Sequence, residues 1–250
     1  MLDPAMYRRP IAHRGLHDVR AGVIENTALA FEAAIAGGYG VECDLRPALN
    51  GLPVVFHDLK LDRLCLQKGG IARLGRGDLK KVRFHGSPAE GILTFAELLE
   101  GVAGRAPLFV EIKSEWAAPD ARFVGDIAKL ASHYCGPIAV MSFDPAVIAA
   151  ISDLAPKLPR GIVSGSYRGA GWQRREVSFA RARRLRDLAE SPPGAAHFFA
   201  YEVAALPSSS TEYARRARKL PVLTWTVRSG ADRDRAAKWA DQMIFEGFTP

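Results

Sequence analysis

The chain has 250 residues, 48% hydrophobic and 24% charged, the balance of an ordinary folded protein that can bury a full core without covalent staples. No apolar run approaches the ~18 residues of a spanning helix, and the three cysteines, Cys43, Cys65 and Cys135, show neither a disulfide framework nor zinc spacing. The formal charge of +7 favours anionic partners: phosphorylated small molecules, nucleic acid or anionic headgroups.

The opening MLDPAMYRRP lacks the apolar region of a signal peptide, so a reducing, cytoplasmic setting is expected. From there, short apolar runs alternate with helical segments. Strands are expected at 10–13, 39–45, 108–112, 138–142, 160–164, 197–201, 222–227 and 242–246. Helices are expected between them, at 27–36, 94–102, 120–133, 145–154, 177–189, 211–219 and 231–240. Thr94 with Glu97 forms a capping box, and Pro145 follows Asp144 as a first-turn proline does. Eight strands with seven helices between them predict an α/β fold of the (β/α)8 TIM-barrel type, one domain over 1–250, rather than a doubly wound sheet. The run 53–57 is surplus to the eight; Asn50-Gly51 before it predicts a β-hairpin elaborating the second strand. The glycine- and charge-rich stretch 65–88 is expected to cross the barrel mouth as a loop with a short helix.

Side chains alternate across a strand, so Glu42 and Asp44 point one way and Cys43 the other. Two carboxylates inside a barrel repel one another unless a cation joins them, and Mg²⁺ or Ca²⁺ suits carboxylate oxygens. A two-residue Asn50-Gly51 turn would pair Leu49 with Leu52 and set His57 opposite Asp44. Glu111 and Lys113 share a face at the end of another strand, adding a third carboxylate and a cation. His13 and Arg14 end the first strand, where barrel active sites lie. Two histidines, three carboxylates and two cations at strand ends suit phosphoryl chemistry.

In this order and spacing, IAHRG, ENTALAFEAAIAGGYGVECDL, NGLPVVFHDLKLDRL, LTFAELLE, LFVEIKSE, PVLTWTV and ADQMIFEGF resemble the glycerophosphodiester phosphodiesterase family, within the phospholipase C-like phosphodiesterase barrels. The resemblance implies that His13 and His57 are the acid–base pair and that Glu42, Asp44 and Glu111 bind one divalent cation, Mg²⁺ or Ca²⁺. It implies that Arg14 and Lys113 hold the phosphate, that Trp225 lines the substrate site, and that Glu25 and Asn26 shape its mouth. The implied reaction cuts a small-molecule glycerophosphodiester to glycerol 3-phosphate and an alcohol, a step in lipid and glycerol metabolism. Arg228 stands where many members have Asn, and Glu246-Gly247 where many have Thr-Asp.

Three rival readings accompany this one. A lysophospholipase D or sphingomyelinase-D-like enzyme should expose apolar residues at the mouth, whereas 67–87 is mainly polar and basic. A phosphoester-binding relative without activity would have lost a histidine or a carboxylate. A nucleic-acid-binding barrel would explain Arg181, Arg183, Arg184 and Arg186, but Ala180, Leu185 and Leu188 give that helix an inner stripe and leave the arginines as a solvated face. No nucleic-acid partner and no membrane insertion is expected, and the oligomeric state stays open. His17, His85, His133 and His197 read as structural or solvated, without carboxylate partners, and the tryptophans other than Trp225 as helix packing.

Overall fold

Hydrophobic runs too short for helices, each followed by an amphipathic segment, fold here as repeated strand–helix units. The computed structural model describes residues 2–87, 91–168, 177–191 and 194–250. Its strands are β1 (Ile11–Ala12), β2 (Gly40–Pro47), β3 (Pro53–Val55), β4 (Leu108–Ile112), β5 (Ile138–Ser142), β6 (Arg160–Ser164), β7 (Phe198–Glu202), β8 (Val222–Val227) and β9 (Gln242–Phe245). The helices are α1 (Ala28–Ala36), α2 (Arg76–Leu79), α3 (Phe95–Val102), α4 (Ala121–His133), α5 (Pro145–Leu154), α6 (Phe179–Arg186), α7 (Ser209–Arg216) and α8 (Gly230–Trp239). Strands pair in the order β1-β9-β8-β7-β6-β5-β4-β2, and β1 also pairs with β2, so the parallel strands close into a (β/α)8 barrel. The expected helix starts hold: Thr94 and Glu97 form the box that opens α3, and Asp144 caps α5 ahead of Pro145.

Strand alternation sorts the core into two layers. Val41, Cys43, Leu45, Val110 and Ile112 face outward onto α1, α3 and α4. Ile11, Phe109, Met141, Val163, Phe198 and Ile244 fill the barrel interior, and Leu2 and Met6 close its N-terminal end. Phe109 and Phe198 meet edge to face with ring centroids 5.8 Å apart. Gly161 allows this, because a Cβ there would lie 2.5 Å from the Phe198 ring. The interior is therefore apolar below, which leaves only its upper end for polar groups.

The hairpin forms, with a register one residue away from expectation. Leu45 pairs with Val55 and Arg46 with Val54, and the Phe56 N–H donates to the Asp44 carbonyl. The cause is the turn: Leu49–Gly51 makes a three-residue 3-10 loop with Asn50 left-handed at φ 59°, and the Ala48 N–H donates to Leu52. Phe56, not His57, thus lies opposite Asp44, and His57 lies in the loop beyond the strand.

The segment after β3 is more than a polar crossing. Phe56, Leu61, Cys65, Ile71, Leu79, Val82 and Phe84 build a satellite core with Ile24 and Val54. Pro88 lies outside the described residues, as does Trp172 among the expected packing tryptophans. The arginines of α6 are ion-paired: Arg181 and Arg184 with Glu190 at 3.2 and 3.0 Å, Arg186 with Asp187 at 3.0 Å.

Phe84 is 1% exposed within the satellite core. Replacing it by alanine is expected to destabilise the chain by about 3–5 kcal/mol, read as a lower urea midpoint. An unchanged midpoint would mean that this segment contributes nothing to the barrel's cooperative unit.

Candidate active site at the barrel mouth

The chain leaves β1 through His13-Arg14-Gly15, and the backbone there is bent to aim both polar side chains inward. Arg14 is left-handed at φ 57° and Gly15 at φ 79°. A Cβ on Gly15 would stand 2.7 Å from the Ala30 backbone of α1, so glycine lets the loop lie flat on that helix. The turn sends the Arg14 N–H to Glu42 Oε2 at 2.9 Å, and the Arg14 carbonyl accepts from Asn26 N–H at 2.9 Å.

Glu42, Asp44 and Glu111 meet inside the upper barrel, all buried, with one oxygen of each within 4.8 Å of the others. β2 and β4 bring them together, because the parallel register sets Asp44 beside Glu111. Lys113 Nζ lies 2.7 Å from Asp44 Oδ1 and also contacts Glu111; Arg14 Nε lies 3.1 Å from Asp44 Oδ2. Burial pushes the Asp44 carboxyl upward, but Lys113 and Arg14 overcome this and hold it well below the usual carboxylate range. Glu42 goes the other way: burial and the charges of Asp44 and Glu111 push it well above that range. Burial alone would lower Lys113, yet Asp44 and Glu111 keep it above its ordinary value. Among the described residues, Glu42 Oε1 is buried without a hydrogen-bond partner.

His13 and His57 are each held through Nδ1 by a carboxylate. His13 Nδ1 bonds Glu246 Oε2, while its Nε2 lies 3.9 Å from Glu42. His57 Nδ1 bonds Asp58 Oδ1 at 2.6 Å. Burial lowers the His13 imidazole and the Glu246 hydrogen bond partly restores it. Burial would raise Glu246, but its bonds to His13 and Arg228 and its contact with His17 keep it strongly acidic. An ionic chain then crosses the mouth: Arg63 donates to Asp58 at 2.7 Å and to both Glu25 oxygens at 2.8 Å, and Arg14 donates to Glu25 at 2.6 Å. Despite its burial, the Glu25 carboxyl is lowered to about 2 by Arg63 and Arg14.

The expected site residues thus converge. His13, Arg14, Glu42, His57, Glu111, Lys113 and Trp225 line one cavity of about 160 Å³. Asp44 lies beneath it, fully buried. Glu25 and Asn26 act as supports: Glu25 pairs the two arginines, and Asn26 donates to Asp44 Oδ2 at 2.9 Å and accepts from its N–H at 3.2 Å. A second cavity of about 590 Å³ adjoins the first, sharing His57, Glu111, Lys113 and Phe143. Trp116, read from sequence as packing, lines it.

Sequence reasoning passed over Arg63 and Phe143, and marked Glu246 only as a departure from the family pattern. Glu246 was legible through closure of the barrel: Phe245 pairs with Ala12, so the residue after β9 stands beside the residue after β1. His17, expected to lack a carboxylate partner, has Nε2 3.8 Å from Glu246. The two departures from the family pattern also meet, as Arg228 Nε donates to Glu246 Oε1 at 2.6 Å. Arg63 stands in the NGLPVVFHDLKLDRL motif without a role read for it, since its reach depends on how the satellite core folds.

Comparison with known proteins places this geometry. A glycerophosphodiester phosphodiesterase of Bacillus altitudinis is 33% identical over 108 residues, which span 41% of this chain and 43% of that relative's length. An Oleispira antarctica phosphodiesterase, solved with its product sn-glycerol 3-phosphate, superposes with a TM-score of 0.75 at 20% identity, covering 96% of this chain and 93% of its own. A glycerophosphodiester phosphodiesterase of Thermotoga maritima gives 0.70 at 20% identity, over 96% and 95% of the two chains. At such identities these structures show a common barrel. The profile of the glycerophosphoryl diester phosphodiesterase family matches residues 13–249, and the chain belongs to that family.

Proposed function

We propose that this chain is a divalent-cation-dependent glycerophosphodiesterase that releases glycerol 3-phosphate and an alcohol, and that it works in the cytoplasm as one catalytic domain. The observation that carries the reading is the single small cavity onto which two carboxylate-held imidazoles, two buried carboxylates, Arg14 and Lys113 all open.

The carboxylate triad fits a hard cation. Its oxygens lie within 4.8 Å of one another, the residues are dry, and Glu42 Oε1 has no other partner among the described residues. Glu42, Asp44 and Glu111 would hold one Mg²⁺ or Ca²⁺, the usual cations for carboxylate oxygens. When bound, it would draw off charge developing on the phosphoryl oxygens.

The side chains supply the rest. Arg14 and Lys113, on the cavity wall, orient the phosphate and stabilise its added negative charge. Glu246 accepts from His13 Nδ1–H and so leaves Nε2 with its lone pair directed at the cavity. Burial keeps this imidazole neutral near pH 7, which suits a base that takes a proton from the attacking hydroxyl, either water or the glycerol 2-hydroxyl. His57 borders both cavities, so it is placed to protonate the departing alcohol. Trp225, fixed by its Nε1–H to the Ala200 carbonyl at 3.1 Å and edge-on to Phe143, offers the glycerol moiety an apolar wall. No helix among the described residues is long and apolar enough to cross a membrane.

Glycerol 3-phosphate release from a panel of glycerophosphodiesters, with Mg²⁺ or Ca²⁺ and with chelator, tests the reading. His13→Ala and His57→Ala are each expected to reduce turnover by at least a hundredfold with the circular dichroism spectrum retained; wild-type release by both would sink the mechanism. Glu42→Gln should weaken cation binding in calorimetry by tenfold or more, and unchanged affinity would remove Glu42 from the ligand set. Glu246→Gln should lower kcat by roughly tenfold to a hundredfold with KM nearly constant, since it alters the imidazole's partner and not the substrate's. A rise in KM alone would assign Glu246 to substrate binding instead.

A further inference from the structure

The cavity of about 590 Å³ beside the catalytic pocket has a composition that speaks to the bond's departing side. It is reached past His57 and Lys113, and its remaining wall includes Leu59, Ile112, Trp116 and Phe143 together with Arg46 and Glu115. Its charged groups are already matched. Arg46 pairs with Glu115, Lys113 with Asp44 and Glu111, and His57 with Asp58. A charged alcohol would find no uncompensated partner there, whereas an apolar body would find the side chains of Leu59, Trp116 and Phe143, Ile112 contributing its backbone because its side chain faces outward.

Trp116 is built into this wall with unusual care. Its backbone is left-handed, at φ 61°, a conformation that bulky side chains adopt only when their surroundings impose it. The Trp116 N–H donates to Ser114 Oγ at 2.9 Å, and that hydroxyl donates to Asp144 Oδ2 at 2.6 Å. The Arg181 guanidinium lies 5.0 Å from the centroid of the indole and 3.6 Å from Asp144. One α6 arginine thus braces the ring from its own side and leaves the indole bordering the cavity. With a cation already on the ring, a second one, carried by a small ammonium alcohol, gains little from it.

We propose that this larger cavity is the leaving-group subsite, that Trp116 is its stacking platform, and that it selects neutral alcohols with a planar or apolar body over small cationic ones. The proposal rests on the glycerophosphodiesterase reading for the position of the scissile bond, and it adds which alcohol leaves. Trp116 is the specificity residue, and Leu59, which is 52% exposed, completes the apolar wall.

The test uses the full chain with Mg²⁺ or Ca²⁺ present and two uncleavable phosphonate analogues of glycerophosphodiesters, one with a benzyl and one with a choline leaving group. Calorimetry is expected to show the benzyl analogue binding roughly tenfold tighter than the choline analogue, the size of a single aromatic stacking contact with its burial. Trp116→Ala should erase that preference and Trp116→Phe should keep most of it. Leu59→Ala, at an exposed position that spares the fold, should reduce it severalfold. Tighter binding of the choline analogue, or a benzyl preference that survives in both alanine variants, would overturn the subsite. Turnover of the matching diesters separates the two claims: an intact benzyl preference without hydrolysis would sink the glycerophosphodiesterase reading and spare the subsite. Hydrolysis without leaving-group discrimination would do the reverse.

Discussion

Three carboxylates packed into the dry upper end of a barrel are the constraint to which the rest of this site answers. The pleat of β2 points Glu42 and Asp44 inward together, and the register with β4 adds Glu111. Left alone, such a cluster would repel itself and lose hydration, a cost of several kcal/mol per ion. Lys113 and Arg14 neutralise part of it, and Asn26 fixes the orientation of Asp44 with two hydrogen bonds. The bend at Arg14-Gly15, the flat seat on Ala30 and the left-handed Asn26 are the backbone conditions under which those partners arrive.

The constraint also explains the split in acidity. Glu42 and Asp44 sit two residues apart on the same strand face, yet one is pushed up and the other held down. Asp44 has both cations against it, while for Glu42 burial and the acidic neighbours outweigh the pull of Lys113 and Arg14. Environments, not residue types, assign the protonation states here. His13 and His57 each have Nδ1 committed to a carboxylate and border the cavity.

Much of this was legible in the sequence because it follows from periodicity. Eight apolar runs spaced by amphipathic segments give the barrel, and period-two alternation gives Glu42, Asp44, Glu111 and Lys113 their common side. What failed was what local pattern does not control. Asn50-Gly51 signals a hairpin but not its loop length; one extra residue in the turn moved Asp44 from His57 to Phe56. Glu246 is 233 positions from His13 and meets it only through closure of β9 on β1. Arg63 and Trp116 depend on loops whose paths are set by tertiary packing. The segment after β3 looked polar because its apolar residues are scattered, without a period that would reveal a shared core.

That satellite core has a consequence for how the chain could be re-engineered. Arg63 projects from it to join Asp58 with Glu25, and Glu25 in turn holds Arg14, so the insert and the first loop are clasped electrostatically. The barrel and this insert are consequently not interchangeable parts. A chimera that transplanted the insert from a relative would have to bring a matching guanidinium, or carry the Glu25 loop along with it. Otherwise it would strand a buried carboxylate on one side of the seam and loosen a histidine on the other.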